Sequence, residues 1–277
     1  MIDFHAHTFP ERIAAGAIAK LQQASHSTAF TDGTVAGLRT SMTRAGIDAA
    51  VLLPVATNPL KVQHMNDLSI RMNGLDGLHW FGCMHPDAED WHGELARIAS
   101  AGVKGIKLHP VYQGVDIDDV RMLRILGRAA ELGLIVVTHA GADIGFPGVV
   151  RCSPQMIRRA LKQVDGVTLV CAHMGGWRNW QEVADALLDT TALLDTAFTL
   201  GSIEPIDSHY APEELPMLAD DDFCALVRAF GAERVLFGSD SPWDDQSRAA
   251  AHIAVLPLTE KEKAAIMDGN ARRLLGI

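Results

Sequence analysis

The feature that most constrains the fold is the alternation of short apolar runs, rich in β-branched residues, with longer segments of helical period. This pattern is typical of parallel strands joined by helical crossovers. Eight runs are predicted as strands: residues 2–7, 49–55, 78–84, 105–109, 134–139, 168–173, 192–196 and 235–240. Five segments between them are predicted as helices: residues 89–101, 119–132, 154–164, 180–188 and 221–230. Gly102, Gly133 and Gly231 stand where three of these helices should end.

Two architectures share this local pattern, a closed (β/α)₈ barrel and a doubly wound open sheet. The chain has neither G-x-G-x-x-G after the first strand nor G-x-x-x-x-G-K-[ST] anywhere, so the usual nucleotide marks of open sheets are missing. Its 277 residues are close to the length typical of a barrel, and 48% of them are hydrophobic. The sequence therefore predicts an α/β fold with a single (β/α)₈ TIM barrel domain over residues 1–277.

The net charge and the spacing of the cysteines limit which partners and which cellular compartment are expected. A formal net charge of −10 with no clustered Lys and Arg predicts a small-molecule substrate, and neither nucleic acid nor a membrane as a partner. The four cysteines are far apart and form no C-x-x-C pair, which argues against a zinc ribbon or a disulfide framework. With no recognisable signal peptide or membrane span, a cytoplasmic location is expected. The oligomeric state is left open, a homo-oligomer included.

Polar residues capable of chemistry collect where the predicted strands end. In a barrel, that end carries the active site. The residues there are His5, His7, His85, Lys107, His109, His139, His173 and Asp240. Six of the twelve histidines are in this set, far more than scattered histidines would place there.

His5 and His7 are the strongest candidates for metal ligands. Residues two apart on a strand point to the same face, so both imidazoles should face the barrel interior. His139 and Asp240 would complete a set of nitrogen and oxygen donors that suits zinc first, and also manganese, iron or nickel. Asp240 could then take the proton of a water that the metal activates. His173 is expected beside that water, as a general base, an electrostatic stabiliser or a further ligand.

Seven motifs follow one another along the whole chain: DFHAH, GIKLHP, VVTHAG, VCAHMGGW, LLDTAF, VLFGSDSPW and GNARRLLGI. In order and spacing they resemble the amidohydrolase superfamily, and most closely its amidohydrolase-related branch of metal-dependent barrel hydrolases. The resemblance implies that His5, His7, His139 and Asp240 hold a catalytic metal, with His173 adjacent to the activated water. The same branch contains non-oxidative decarboxylases and lactone-cleaving enzymes, so the resemblance leaves the reaction open.

Several further residues are candidates for the substrate pocket. Lys107 stands where binuclear relatives carry a carboxylated lysine, but a role in binding a substrate carboxylate or a buried acid is favoured here. His109, Tyr112 and Trp177 are predicted to contact the substrate. Asp195 is interpreted as a hydrogen-bonded support rather than a ligand. The long polar connection over residues 198–220 is a candidate active-site loop.

Three functions are weighed. The first is a metal-dependent hydrolase that cleaves a C–N or C–O bond of a small, carboxylated or cyclic substrate. The second is a metal-dependent decarboxylase of an aromatic or unsaturated acid, motivated by Lys107 together with Arg151 or Arg178. The third is a barrel that only binds a ligand, which so complete a set of polar groups disfavours. The hydrolase is the prediction, and the decarboxylase is the alternative.

Overall fold

The computed structural model describes all residues from 1 to 277. Nine strands are present: β1 (Ile2–Ala6), β2 (Ala49–Leu52), β3 (Leu78–Trp80), β4 (Gly82–Cys83), β5 (Gly105–Leu108), β6 (Ile135–Thr138), β7 (Thr168–Cys171), β8 (Leu193–Asp195) and β9 (Val235–Leu236). Twelve α-helices are present: α1 (Glu11–Ser25), α2 (Val35–Ala45), α3 (Val62–Met72), α4 (Trp91–Ser100), α5 (Pro110–Gln113), α6 (Val120–Glu131), α7 (Pro154–Leu161), α8 (Val183–Leu187), α9 (Asp220–Phe230), α10 (Gln246–Val255), α11 (Glu260–Ala264) and α12 (Asn270–Leu275). No helix is both long enough and apolar enough to cross a membrane.

The strands β4 to β8 pair in the order of the chain. Pairing from β4 to β8 is parallel, with Lys107 opposite Val137 and Val137 opposite Val170. Every residue of β6 is buried, as expected where both faces of a parallel sheet are covered. All eight predicted strands are present, and the third contains two, β3 and β4.

The observed strands end before the polar residues that were predicted to close them. His7 and His139 directly follow the last residue of their strands, His173 lies two residues beyond β7, and Asp240 lies four residues beyond β9. The backbone explains two of these differences, because His173 and Asp240 have φ angles of 59° and 65° and so leave the extended conformation. The polar side chains therefore stand on turns that follow the strands.

The helices follow the predicted apolar spacing. Helix α6 buries Met122, Ile125, Leu126 and Ala129, which recur every three or four residues, while Asp119 caps its first turn by accepting from the Arg121 N–H. The prediction for residues 180–188 is corrected at its start, because Trp180–Glu182 is a 3₁₀ turn and α8 begins after it.

The chain divides into two compact units. The first unit contains Met1–Ala50, Ile144–Pro147 and Asp195–Ile277, and the second contains Val51–Asp143 and Gly148–Leu194. The first includes β1, β9 and helices α1, α2 and α9 to α12. The second includes β3 to β7 and helices α3 to α8. A single domain over residues 1–277 stays a prediction.

Candidate active site

In the first unit, β1 runs beside the segment that follows β9. The Asp240 N–H donates to the carbonyl of His5 over 2.8 Å, and the His7 N–H donates to the carbonyl of Ser241 over 2.6 Å. This parallel pairing is continued by a bridge between Ala6 and Ser241. Because the two segments are in register at this point, the side chains of His5, His7 and Asp240 converge.

These three side chains form a compact triangle of potential ligand atoms, called here the first cluster. Nε2 of His5 lies 3.1 Å from Nε2 of His7, and Oδ1 of Asp240 lies 3.3 Å and 3.1 Å from these two nitrogens. Ligand atoms bound at about 2.1 Å to one ion are separated by roughly 3.0 to 3.4 Å in octahedral or tetrahedral geometry. The first cluster therefore has the spacing of three ligands around one ion.

Asp195 fixes the orientation of the His5 ring. Its Oδ2 lies 2.8 Å from Nδ1 of His5, while its Oδ1 accepts from the Ala197 N–H. With Nδ1 donating to the carboxylate, Nε2 of His5 presents its lone pair to the Asp240 carboxylate. A lone pair and a carboxylate oxygen at 3.3 Å repel each other unless a cation or a proton lies between them. This donor set fits a divalent metal, and Asp195 has the supporting role that the sequence indicated.

Replacing Asp195 with asparagine is expected to weaken metal binding by about 10- to 100-fold and to leave the chain folded, because the charge that holds His5 is lost while the shape is kept. Titration calorimetry with Zn²⁺ and Mn²⁺ measures this. Asp207→Asn is the matched control, since its carboxylate lies at the same 2.8 Å from Nδ1 of an exposed histidine, His26. Equal losses in the two variants would contradict the role given to Asp195.

Two features next to the first cluster explain how β1 can lie close to the segment that contains Asp240. A Cβ on Gly238 would lie 2.8 Å from Cβ of His5, so only glycine lets the two segments approach this closely. Asp3 is fully buried and accepts from Nε2 of Gln246 and from both the N–H and the hydroxyl of Ser239. Burial raises the pKa of Asp3, although these hydrogen bonds oppose the rise. The acid thus ties β1 to α10 and to the turn before Asp240.

The second unit contains another group of buried side chains, called here the second cluster: His109, His139, Asp143 and His173. Nε2 of His109 lies 3.4 Å from Oδ2 of Asp143, and Nε2 of His139 lies 3.8 Å from the same oxygen. Nε2 of His139 also lies 2.9 Å from the carbonyl of Ala142, which makes it the donating nitrogen. Nδ1 of His139 is then the nitrogen with the lone pair, and it lies 3.0 Å from Nε2 of His173.

Two rings of the second cluster are stacked, and Tyr112 adds a third. The rings of His109 and His139 lie 4.3 Å apart between centroids, and Tyr112 stacks on the other face of His109 at 3.9 Å. Lys107 lies two residues before His109 on β5 and is 1% exposed. Of the predicted substrate residues, the structure thus brings Lys107, His109 and Tyr112 into one region of the second unit.

Trp177 lies on the turn after His173. Its N–H donates to the carbonyl of Ala140, its carbonyl accepts from the Ala142 N–H, and the guanidinium of Arg178 lies 5.0 Å from the indole centroid. These contacts join the Trp177 turn to the segment that carries His139. Arg151, by contrast, forms an ion pair with Asp116 at the surface.

Comparison with known protein families identifies the family of this chain. A family model with the description Amidohydrolase matches residues 2–277. The chain belongs to the amidohydrolase family. The resemblance found in the sequence motifs is thereby confirmed over the whole length, and the family is metal-dependent. No curated protein sequence matches this amidohydrolase.

Solved structures similar to this amidohydrolase confirm the fold. A TIM-barrel protein from Bordetella bronchiseptica aligns with a TM-score of 0.75 and 19% identity, over 100% of this chain and 98% of that one. A structural-genomics target from Pseudomonas putida, described as a 2-pyrone-4,6-dicarboxylic acid hydrolase, aligns with a TM-score of 0.66 and 20% identity, over 99% and 97%. A 5-carboxyvanillate decarboxylase from Novosphingobium aromaticivorans with bound manganese aligns with a TM-score of 0.73 and 12% identity, over 100% and 97%. The predicted (β/α)₈ barrel fold is therefore confirmed.

One buried acid of the second cluster had no place in the sequence prediction. Asp143 lies four residues after His139, in a loop rather than a helix, and reaches both His109 and His139. The spacing of the sequence carries no signal for this contact. One pattern could have suggested a supporting carboxylate. In HAGAD, an acid follows the histidine that comes directly after a buried strand.

Proposed function

We propose that this amidohydrolase is a metal-dependent hydrolase that cleaves a C–N or C–O bond in a small carboxylated or cyclic substrate. The observation that supports this most is the first cluster, in which two imidazole nitrogens and one carboxylate oxygen converge at 3.1 to 3.3 Å. Zinc and manganese are the first ions to test, because both accept nitrogen and oxygen donors. When bound, a divalent ion supplies Lewis acidity, which polarises a carbonyl oxygen or lowers the pKa of water.

Each residue has a proposed role in this reaction. His5, His7 and Asp240 hold the ion, and the sequence resemblance adds His139 as a further ligand. Asp240 has a second task, since its carboxylate can accept a proton from the attacking water and pass it to the leaving group. His173 is proposed to orient or stabilise the reacting oxygen.

The substrate side is proposed to lie among the residues of the second unit. Lys107 is buried on β5, two residues before His109, and a buried ammonium is strongly stabilised by an anion such as a substrate carboxylate. The stacked rings of Tyr112 and His109 offer a flat apolar surface for a ring. Trp177 is proposed as a further wall. These features favour a substrate that combines a planar ring with a carboxylate.

The decarboxylase alternative keeps specific support. Lys107 suits an acid substrate in either reaction, and similar structures include decarboxylases of 2,6-dihydroxybenzoate and 5-carboxyvanillate. The sequence suggested Arg151 as a second cation for the decarboxylase substrate. The structure gives this role little support, because Arg151 is paired with Asp116 at the surface. The hydrolase is therefore the first proposal and the decarboxylase the second.

Metal analysis followed by two assay panels tests the proposal. The purified chain, depleted of metal and then reloaded with Zn²⁺ or Mn²⁺, is expected to hold one ion per chain. It is expected to open lactones or hydrolyse amides that carry a carboxylate. Release of carbon dioxide from aromatic or muconic acids, without hydrolysis, would establish the decarboxylase instead. A chain that binds no divalent ion contradicts both proposals, and two ions per chain would revive a bridging role for carboxylated Lys107.

A further inference from the structure

The first unit contains a cavity of about 250 Å³ whose lining includes no residue of the first or the second cluster. Its walls come from the segment 196–202, which opens the long connection after β8, and from one face of helix α10. Leu200, Ala249 and Ile253 supply an apolar lining. Cavities of roughly 150 Å³ hold benzene, so this one has room for an aromatic ring with a short polar arm.

Asp244 gives the cavity a charged group. It is only 5% exposed, and it lines the cavity. Nε and Nη2 of Arg248 and the backbone N–H of Asp245 donate to its carboxylate, and all three donate to Oδ1. Oδ2 of Asp244 accepts no hydrogen bond from the protein. Because Oδ2 also lies on a carboxylate that lines the cavity, it is free to accept a hydrogen bond from a ligand that brings a donor.

Two further observations favour a donor that is positively charged. Burial raises the pKa of Asp244 to about 6, although Arg248 opposes the rise, so additional positive charge would stabilise the ionised carboxylate. Nε2 of His252 lies 2.8 Å from Asp220, which leaves Nδ1 on the cavity side near Gly201 as an acceptor in the neutral ring. The cavity thus offers two acceptors.

The charges around the cavity do not favour an anion. Arg248 is its one guanidinium, and that group already pairs with Asp244 and, through Nη1, with Glu204. It also lies 4.7 Å above the ring of Phe30. Two carboxylates pair with Arg248 and a third, Asp220, pairs with His252, so the carboxylates outnumber the guanidinium groups around the cavity. A carboxylate ligand would have to displace an existing partner of Arg248.

We propose that this cavity binds a small primary ammonium compound with an aromatic or aliphatic body. The ammonium group donates to Oδ2 of Asp244 and to Nδ1 of His252, and the body packs against Leu200 and Ile253. None of the residues that line the cavity is a proposed metal ligand or catalytic residue. The ligand class is an organic amine about the size of 2-phenylethylammonium.

Titration of the full-length chain with 2-phenylethylammonium chloride, followed by NMR of the Leu200 and Ile253 methyl groups, tests the proposal. Saturable shifts are expected. The neutral isostere 2-phenylethanol should bind at least about 10-fold more weakly, because it forms no charge-assisted hydrogen bond. Asp244→Asn should weaken the ammonium by a similar factor. Glu260→Gln is the matched control, since it removes one negative charge at a side chain that is 93% exposed.

A second variant keeps the test decisive if Asp244→Asn fails to fold, which circular dichroism would show. Ala249→Leu fills the cavity without changing a charge and should also abolish the saturable shifts. Absence of methyl shifts in the wild-type chain means that the cavity holds only solvent and overturns the proposal. So does equal binding of the alcohol and the ammonium, or tighter binding of 3-phenylpropanoate, which would point to Arg248 instead.

Discussion

Asparagine at position 240 is expected to abolish tight binding of a divalent metal and to lower turnover by about a thousand-fold or more. The carboxylate is the one anionic member of the first cluster, with Oδ1 3.3 Å and 3.1 Å from the two imidazole nitrogens of His5 and His7. The proposed proton acceptor disappears with the charge. Asn tolerates the left-handed φ of 65° as well as Asp does, so the turn after β9 should be kept.

Metal content after dialysis and turnover on the best substrate of the panel are the two measurements for Asp240→Asn. Asp189→Asn is the matched control, because Asp189 is a 66% exposed acid that pairs with Arg158 at the surface. The control should keep both metal and activity. An Asp240→Asn protein that retains one ion per chain and more than a tenth of wild-type turnover would remove Asp240 from the proposed mechanism.

The strand ends were the most predictable part of the site. Parallel strands that are buried on both faces consist mostly of apolar residues. A polar residue at the end of such a strand is therefore easy to recognise in the sequence. This pattern selects His5 and His139 as candidates, and the structure places one inside β1 and one directly after β6. In a (β/α)₈ barrel the first and last strands are neighbours, which is why the sequence could link His5 with Asp240.

The partners of these histidines were less predictable. Asp195 was found in the sequence as a support, but its contact with Nδ1 of His5 depends on the pairing of distant segments. Asp143 was not found, because its contact with His109 depends on a turn without repeating spacing. Hydrophobic periodicity determines which face of a strand is buried, and it carries no information about loop conformation.

Backbone conformation accounts for the remaining differences. His173 and Asp240 are non-glycine residues with positive φ, at 59° and 65°, and both follow the end of a strand. Such conformations cost about 1 to 3 kcal/mol and concentrate at functional sites, where the surrounding structure holds them. A sequence predicts that a turn occurs near these residues but does not predict which of them adopts the strained conformation.

The same combination of left-handed backbone and close approach occurs at Gly141, between the His139 strand end and the Trp177 turn. Gly141 has a φ of 87°, and its N–H donates to the carbonyl of Cys152 over 2.8 Å. A Cβ added there would lie 2.2 Å from the backbone nitrogen of Trp177 and 2.3 Å from its carbonyl oxygen. Backbone atoms cannot move aside as the end of a flexible side chain can.

Gly141→Ala is therefore expected to destabilise the chain by about 3 kcal/mol or more, through both the clash and the unfavourable φ. For a chain of this length that corresponds to a lowering of the thermal midpoint by roughly 5 to 10 °C. The hydrogen bonds of Trp177 to Ala140 and Ala142 would be strained first, so the tryptophan fluorescence should change below the main transition.

Gly127→Ala is the matched control, because it makes the same substitution in the same unit. Gly127 lies inside α6, and an added Cβ there meets nothing within 4 Å. Alanine at this position should stabilise the chain by about 0.5 to 1 kcal/mol, since it reduces the backbone entropy lost when the helix forms. Opposite signs for the two variants would show that position 141 needs glycine because the backbone of Trp177 lies against it. A Gly141→Ala protein within 1 °C of the wild-type midpoint would mean that the turn can open without cost, and that Trp177 does not hold the His139 segment in place.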